Sequence, residues 1–197
     1  MTLWVLERSK DALGVYFSRG ELIPTINAEG ISPMHVRQVF SEMLGQASAR
    51  FSCVNSKGLV EMCRPMDLMF WSWVPIFSQR AKALLVSLGV TQGEFVECEF
   101  SGETSKCYMH LPVSGCDFID YERSIFSGSI PLDVPLPFGV VDVVQKRDFA
   151  LQSAPGVFRA VVPGHTQLLS DLFATDLLAK LWQSAELTGG AFRRVAL

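Results

Sequence analysis

Ser78-Gln79-Arg80-Ala81-Lys82-Ala83-Leu84-Leu85-Val86-Ser87-Leu88-Gly89 opens the stretch that decides the fold, and Glu94-Phe95-Val96-Glu97-Cys98-Glu99-Phe100 completes it. Ser78 carries a side chain suited to accept an N–H from a first helical turn. Phe77, Ala81, Leu84, Leu85 and Leu88 recur on one helical face, Arg80 and Lys82 turn away, and Gly89 supplies the left-handed residue at which helices stop. From Glu94 the period changes to two, with Val96, Cys98 and Phe100 on one face of a strand. Lys106 to Leu111 alternates in the same way through Cys107, Met109 and Leu111. The residues 101–105 between these two runs predict an antiparallel hairpin.

A second unit of the same kind lies at residues 170–197. Thr91, Gly93 and Phe95 reappear there as Thr188, Gly190 and Phe192, again after an apolar helical stretch. Ser170 or Asp171 reads as its cap and Phe173, Leu177, Leu181 and Ala185 as its stripe, widened by Leu178 and Trp182. Ser78 then precedes Phe95 by 17 residues and Ser170 precedes Phe192 by 22, so the second helix is the longer and a duplication requires an inserted turn. Convergence on helix, glycine and strand is the alternative explanation.

Working outward, Leu3 to Leu6 reads as a strand and Val15 to Phe17 as its hairpin partner across the polar turn from Ser9 to Gly14. Ser32 and Pro33 open a helix over 33–45, with Val36, Val39, Phe40, Met43 and Leu44 at helical spacing before Gly45. Arg50 to Val54 reads as a strand, and the aromatics of Leu68 to Val74 favour a strand there too. Phe118 to Phe126 extends the sheet, Pro131, Pro135 and Pro137 mark a connector, and Val140 to Val144 and Val157 to Val162 are β-branched runs typical of buried central strands. The expected architecture is a single α+β domain over 1–197. Its sheet is mostly antiparallel or mixed, with about three helices, near 33–45, 78–89 and 171–186, on one side.

Composition narrows the function. A chain of 197 residues can bury its own core, and 49% hydrophobic against 19% charged residues excludes a disordered chain. A net charge of -3 and a pI near 5.6 argue against a nucleic-acid binder, which needs a clustered basic excess. Only four apolar residues, Leu3 to Leu6, precede the charges Glu7 and Arg8, too few for a secretory signal. The strongest apolar run, Leu68 to Phe77, contains Ser72 and Pro75 and falls short of a membrane span. Cys53, Cys63, Cys98, Cys107 and Cys116 are odd in number and lack a Cys-x-x-Cys spacing, which suits reduced thiols in the cytoplasm.

Few residues offer chemistry. His35, His110 and His165 are scattered and form no metal-ligand pair. His110 beside Cys107 and Cys116 is a candidate thiol–imidazole pair, set against the ordinary role of cysteine as a core residue. Asp117, Asp120, Tyr121 and Glu122 form an acidic cluster. It reads as a solvated strand face, as a pair of acid–base carboxylates, or as a surface that meets a basic partner. Phe70-Trp71-Ser72-Trp73 fills a core or anchors an interface. Gly164 between Pro163 and His165 is explained by a turn. Phosphate loops, dinucleotide fingerprints, His-Glu-x-x-His and Gly-x-Ser-x-Gly are missing from the sequence, so no catalytic, cofactor or metal residue is assigned.

Val74-Pro75-Ile76-Phe77-Ser78, Leu168-Leu169-Ser170-Asp171-Leu172-Phe173 and Leu187-Thr188-Gly189-Gly190-Ala191-Phe192 resemble segments of a broad bacterial family of immunity proteins. Those proteins accompany polymorphic toxins, including effectors delivered by type VI secretion. The resemblance covers mainly the C-terminal two-thirds of the chain. It implies neutralisation of a cognate toxin by protein–protein binding, without catalysis or cofactor, and it carries over no individual binding residue. Asp117, Asp120, Tyr121 and Glu122 are the partner-facing candidates from composition alone. Two rival classes are a small hydrolase or transferase using His110, Cys116 or the acidic cluster, and an adaptor subunit with a self-complementary apolar patch.

Overall fold

The computed structural model describes residues 2–9, 14–17, 50–54, 60–61, 66–71, 74–90, 94–100, 106–111, 115–127, 139–147, 149, 156–161, 169 and 171–197. Among these the elements run β1 (Leu3–Arg8), β2 (Gly14–Phe17), β3 (Arg50–Val54), β4 (Val60–Glu61), β5 (Leu68–Trp71), β6 (Val74–Ser78), α1 (Gln79–Ser87), β7 (Glu94–Phe100) and β8 (Cys107–Leu111). They continue with β9 (Gly115–Cys116), β10 (Ile125–Ser127), β11 (Gly139–Asp142), β12 (Val157–Ala160), β13 (Leu172–Thr175), α2 (Asp176–Ser184) and β14 (Gly190–Arg194). One sheet has the order β14-β1-β13-β12-β9. A second has the order β2-β3-β7-β8-β6-β5 with β4 beside β3, and β10-β11 form a two-stranded ribbon. Pairing is antiparallel except for β3 with β7 and β12 with β9, which gives the mixed α+β architecture expected. The helix expected over 33–45, the loops 101–105 and 128–138, and the residues His35, Cys63 and His165 lie outside the described residues.

The first helix forms where the sequence places it. Ser78 accepts the Ala81 N–H at 3.1 Å, and Ala81 and Leu85 are fully buried. At its end the Gly89 N–H reaches the Val86 carbonyl and the Val90 N–H reaches the Leu85 carbonyl, with Gly89 at φ 76°. That pair of bonds is a Schellman stop, which satisfies carbonyls the helix would leave bare. Lys82 is not turned away: its Nζ sits 3.6 Å above the Tyr108 ring and 5.5 Å from that of Phe95.

The second helix corrects the sequence reading. Leu172 to Thr175 are a fully buried strand, and Thr175, not Ser170 or Asp171, is the cap, accepting the Leu178 N–H at 3.3 Å. Phe173 therefore belongs to the sheet. Lying between β1 and β12, this run is buried throughout and apolar from Leu172 to Ala174, and its Phe173 falls by chance into register with the helical stripe.

With the cap moved, the two units match without a gap. Thr175 lies 97 residues after Ser78, and Phe192 lies 97 after Phe95. Both helices are nine residues long. The second ends on the equivalent bonds, Glu186 N–H to the Gln183 carbonyl and Leu187 N–H to the Trp182 carbonyl, with Glu186 itself at φ 51°. Registers agree as well. Leu68 opposes Phe77 as Val157 opposes Ala174, and the Ser78 N–H bonds the Asp67 carbonyl as the Thr175 N–H bonds that of Gly156. Tyr108 faces Phe77 on one side and Glu97 on the other, just as Trp4 faces Ala174 and Arg194.

That last correspondence shows how the halves interlock. β8, the first strand of the second half, lies between β6 and β7 of the first half. β1, the first strand of the first half, lies between β13 and β14 of the second. The hairpin expected between β1 and β2 does not form, because both edges of β1 are taken by β13 and β14. Each half thus completes its sheet with a strand donated by the other.

Leu6, Leu68, Phe77, Ala81, Leu85, Val157, Leu172, Ala174, Leu178 and Trp182 make one core between the helices and both sheets. Each fully buried valine, leucine or phenylalanine among them contributes roughly 1.5–3 kcal/mol. A polar clasp crosses the same junction. The buried Asp67 carboxylate accepts from Ser78 Oγ at 2.6 Å and, across the halves, from the Thr188 N–H at 2.9 Å and Thr188 Oγ1 at 3.2 Å. The Leu68 N–H donates to the Thr188 carbonyl at 3.0 Å.

The glycines test this close approach. Nothing lies within 4 Å of a Cβ placed on Gly89, whereas one on Gly189, at φ 85°, would meet the Leu68 carbonyl oxygen and stand 2.9 Å from Met66 Cβ. Gly89→Ala is expected to cost about 1 kcal/mol, from backbone conformation alone. Gly189→Ala should cost about 3 kcal/mol or more. Glu186→Gly, which relieves the positive φ, should gain about 0.5–1 kcal/mol. Denaturant unfolding of the three variants checks the order, and equal losses at the two glycines would contradict the close packing.

Candidate partner-binding surface

The acidic cluster lies on the face of the five-stranded sheet away from the helices. Phe118 anchors the segment there, fully buried, edge-on to Phe173 at 4.7 Å and Phe158 at 5.6 Å, and joined by Leu3, Val5, Ile119, Val143 and Val195. Ile119 bridges Gln145, and the Asp120 N–H donates to the Val144 carbonyl at 2.8 Å. The chain then turns. Asp120 Oδ1 accepts the Arg123 N–H at 3.3 Å, and its carbonyl accepts the Ser124 N–H at 3.0 Å, the local pattern that favours aspartate at a turn.

Within this frame the four sequence candidates divide. Asp117 pairs with Lys146 at 2.6 Å and Asp120 with Arg123 at 3.7 Å, both surface ion pairs worth about 0–1 kcal/mol. Tyr121 turns inward: its ring stacks on Phe126 with centroids 5.3 Å apart, and its hydroxyl donates to the Val161 carbonyl at 2.6 Å. Burial, and secondarily the Asp117 charge, push the phenol pKa well above its ordinary value, so the hydroxyl stays a donor. Glu122 stands exposed at the turn with no ion-pair partner among the described residues.

Sequence reading missed the neighbours that make this a surface. β10 and β11 pair with an irregularity between Ile125 and Phe126, so that Ile125 faces Asp142 and Phe126 faces Val140, with Val141 left over as the bulge. Phe126 packs inward, while Ile125 is 58% and Val141 56% exposed. Val140 to Val144 is therefore not a buried central strand; Val143 and Val144 are buried and Val141 is not. β-branched composition signals a strand but not which face is covered. Leu197, 69% exposed, adjoins the turn through the bond from Arg123 Nη2 to its carbonyl at 3.2 Å. Two of the five large apolar side chains exposed among the described residues thus lie on this ribbon.

The catalytic candidates do not meet. His110 is buried on β8 in the larger sheet, stacked on Phe95 at 4.4 Å. Cys116 sits on β9 in the five-stranded sheet, where burial raises its thiol pKa and keeps it neutral. Cys107 is buried opposite Cys98. Among the described residues no three His, Cys, Asp or Glu side chains could hold a metal. The buried Arg159, which sequence reading did not single out, donates to the Leu169 carbonyl at 3.0 Å. Burial pushes its pKa down to about 10 against the opposing pull of Asp171, and it ties β12 to the chain before β13. No helix among the described residues is long and apolar enough to cross a membrane. No protein-family model matches this chain, and neither does any curated protein sequence.

The inward Tyr121 gives a direct check. Tyr121→Phe should lower stability by about 1 kcal/mol, the net value of one hydrogen bond, measured by denaturant unfolding. An unchanged unfolding midpoint would contradict the bond from the Tyr121 hydroxyl to the Val161 carbonyl.

Proposed function

We propose that this chain is an immunity protein that neutralises a cognate bacterial toxin, such as a type VI secretion effector, by direct binding in the cytoplasm, with no covalent chemistry of its own. The observation that carries it is that Ile125 and Val141, the latter next to the residue opposing Ile125, are both exposed on a ribbon whose Phe126 stacks on Tyr121. Apolar side chains exposed on a paired ribbon, with charged residues around them, suit the centre of a protein interface. The resemblance of residues 74–78, 168–173 and 187–192 to immunity proteins supports the same reading. A specific complex would bury roughly 1,200–2,000 Å² in total.

The test is co-expression. The toxin domain of the secreted protein whose gene adjoins this one is produced in cells with and without the chain. Growth should be restored with the chain present, and the two proteins should co-purify. An Ile125→Ser/Val141→Ser variant should weaken the complex about 30-fold or more while its unfolding midpoint stays unchanged, since both side chains are exposed. Absence of both rescue and complex would reject the proposal.

A further inference from the structure

The charges around this ribbon indicate what kind of partner fits it. We infer that the partner presents an apolar anchor flanked by lysine or arginine side chains, an inference that rests on the binding function proposed above. The carboxylates nearest the turn are already compensated, Asp117 by Lys146 and Asp120 by Arg123, and Arg123 is further engaged by the Leu197 carbonyl. Glu122 and Asp142 are exposed and have no ion-pair partner among the described residues. Asp142 stands directly opposite Ile125, and Glu122 lies three residues before it in a fixed turn. Arg147, exposed and without an ion-pair partner among the described residues, follows Asp142 by five positions in the sequence.

The uncompensated charge beside the apolar pair is therefore negative, within a Debye length of about 8–10 Å of the contact. The arrangement is asymmetric in a useful way. The paired carboxylates fix the turn, and the two unpaired ones act on the partner. Charges placed so act mainly on the rate of encounter, whereas the apolar pair governs how long the complex lasts.

The experiment measures association and dissociation rates of the full chain with the adjoining-gene toxin domain, from about 0.05 to 0.5 M salt. Glu122→Gln/Asp142→Asn should slow association about 3–10-fold at low salt, with the difference vanishing at high salt and dissociation little changed. Ile125→Ser/Val141→Ser should speed dissociation instead. Association that is unchanged or faster in the charge variant, with the wild type binding normally, overturns the basic partner surface and leaves the binding function standing. No binding by the wild type overturns both. If the charge or apolar variants shift the sedimentation of the chain alone, the face joins two copies of this chain and the inference fails.

Discussion

The structure depends on the reciprocal exchange of first strands. β1 fills the gap between β13 and β14, and β8 fills the equivalent gap between β6 and β7, so neither half has a complete sheet without the other. Leu6 of the donated β1 enters the core that also holds Leu85 and Trp182 from the two helices. The Asp67 clasp adds direction to this apolar junction. Its carboxylate holds the α1 cap in its own half and the Thr188 loop of the other, and a buried carboxylate left without those donors would be costly. At the equivalent position the second half has Gly156, which lets Leu88 and Val90 approach to 3.3–3.4 Å of where a Cβ would stand. The same junction is thus made polar on one side and tightly packed on the other.

This construction leaves one face of the five-stranded sheet to the helices and the other to residues 117–126, 143–147 and 149. The helix side carries the link between halves. The opposite side carries the acidic turn and the ribbon, seated on a cluster of interlocking rings at Phe118, Phe158 and Phe173. On this platform Ile125 and Val141 are exposed while Tyr121 and Phe126 pack against the ring cluster.

Much of the fold was legible where local signals were self-sufficient. Ser78, the stripe through Ala81 and Leu85, and Gly89 define α1 without outside help, and alternation at Glu94 to Phe100 and Cys107 to Leu111 gives an antiparallel pair. Legibility failed where tertiary context decides. Leu172 to Ala174 is apolar at every position and cannot be told from a helix by periodicity, so the pattern does not single out Thr175 as the cap, and the match between halves is masked by an apparent insertion. β1 has the pattern of a hairpin strand, and only the distant β13 and β14 determine that it is not one. The acidic turn was legible as a cluster of residues, but not in how its side chains are engaged. The acidic cluster lies beside the proposed surface, yet Tyr121 is turned inward and two of the carboxylates are paired, whereas Ile125 and Val141 carried no mark in sequence beyond strand propensity.

Residue-resolved hydrogen exchange under rising denaturant tests the interlocked construction most directly. The expected result is that the Val5 and Leu6 amides of β1 and the Met109 amide of β8 exchange only in the global unfolding step, with one free energy and one denaturant dependence. Release of β1 at a markedly lower free energy, with β13, β14 and the helices still protected, would contradict the claim that each half is completed by the other.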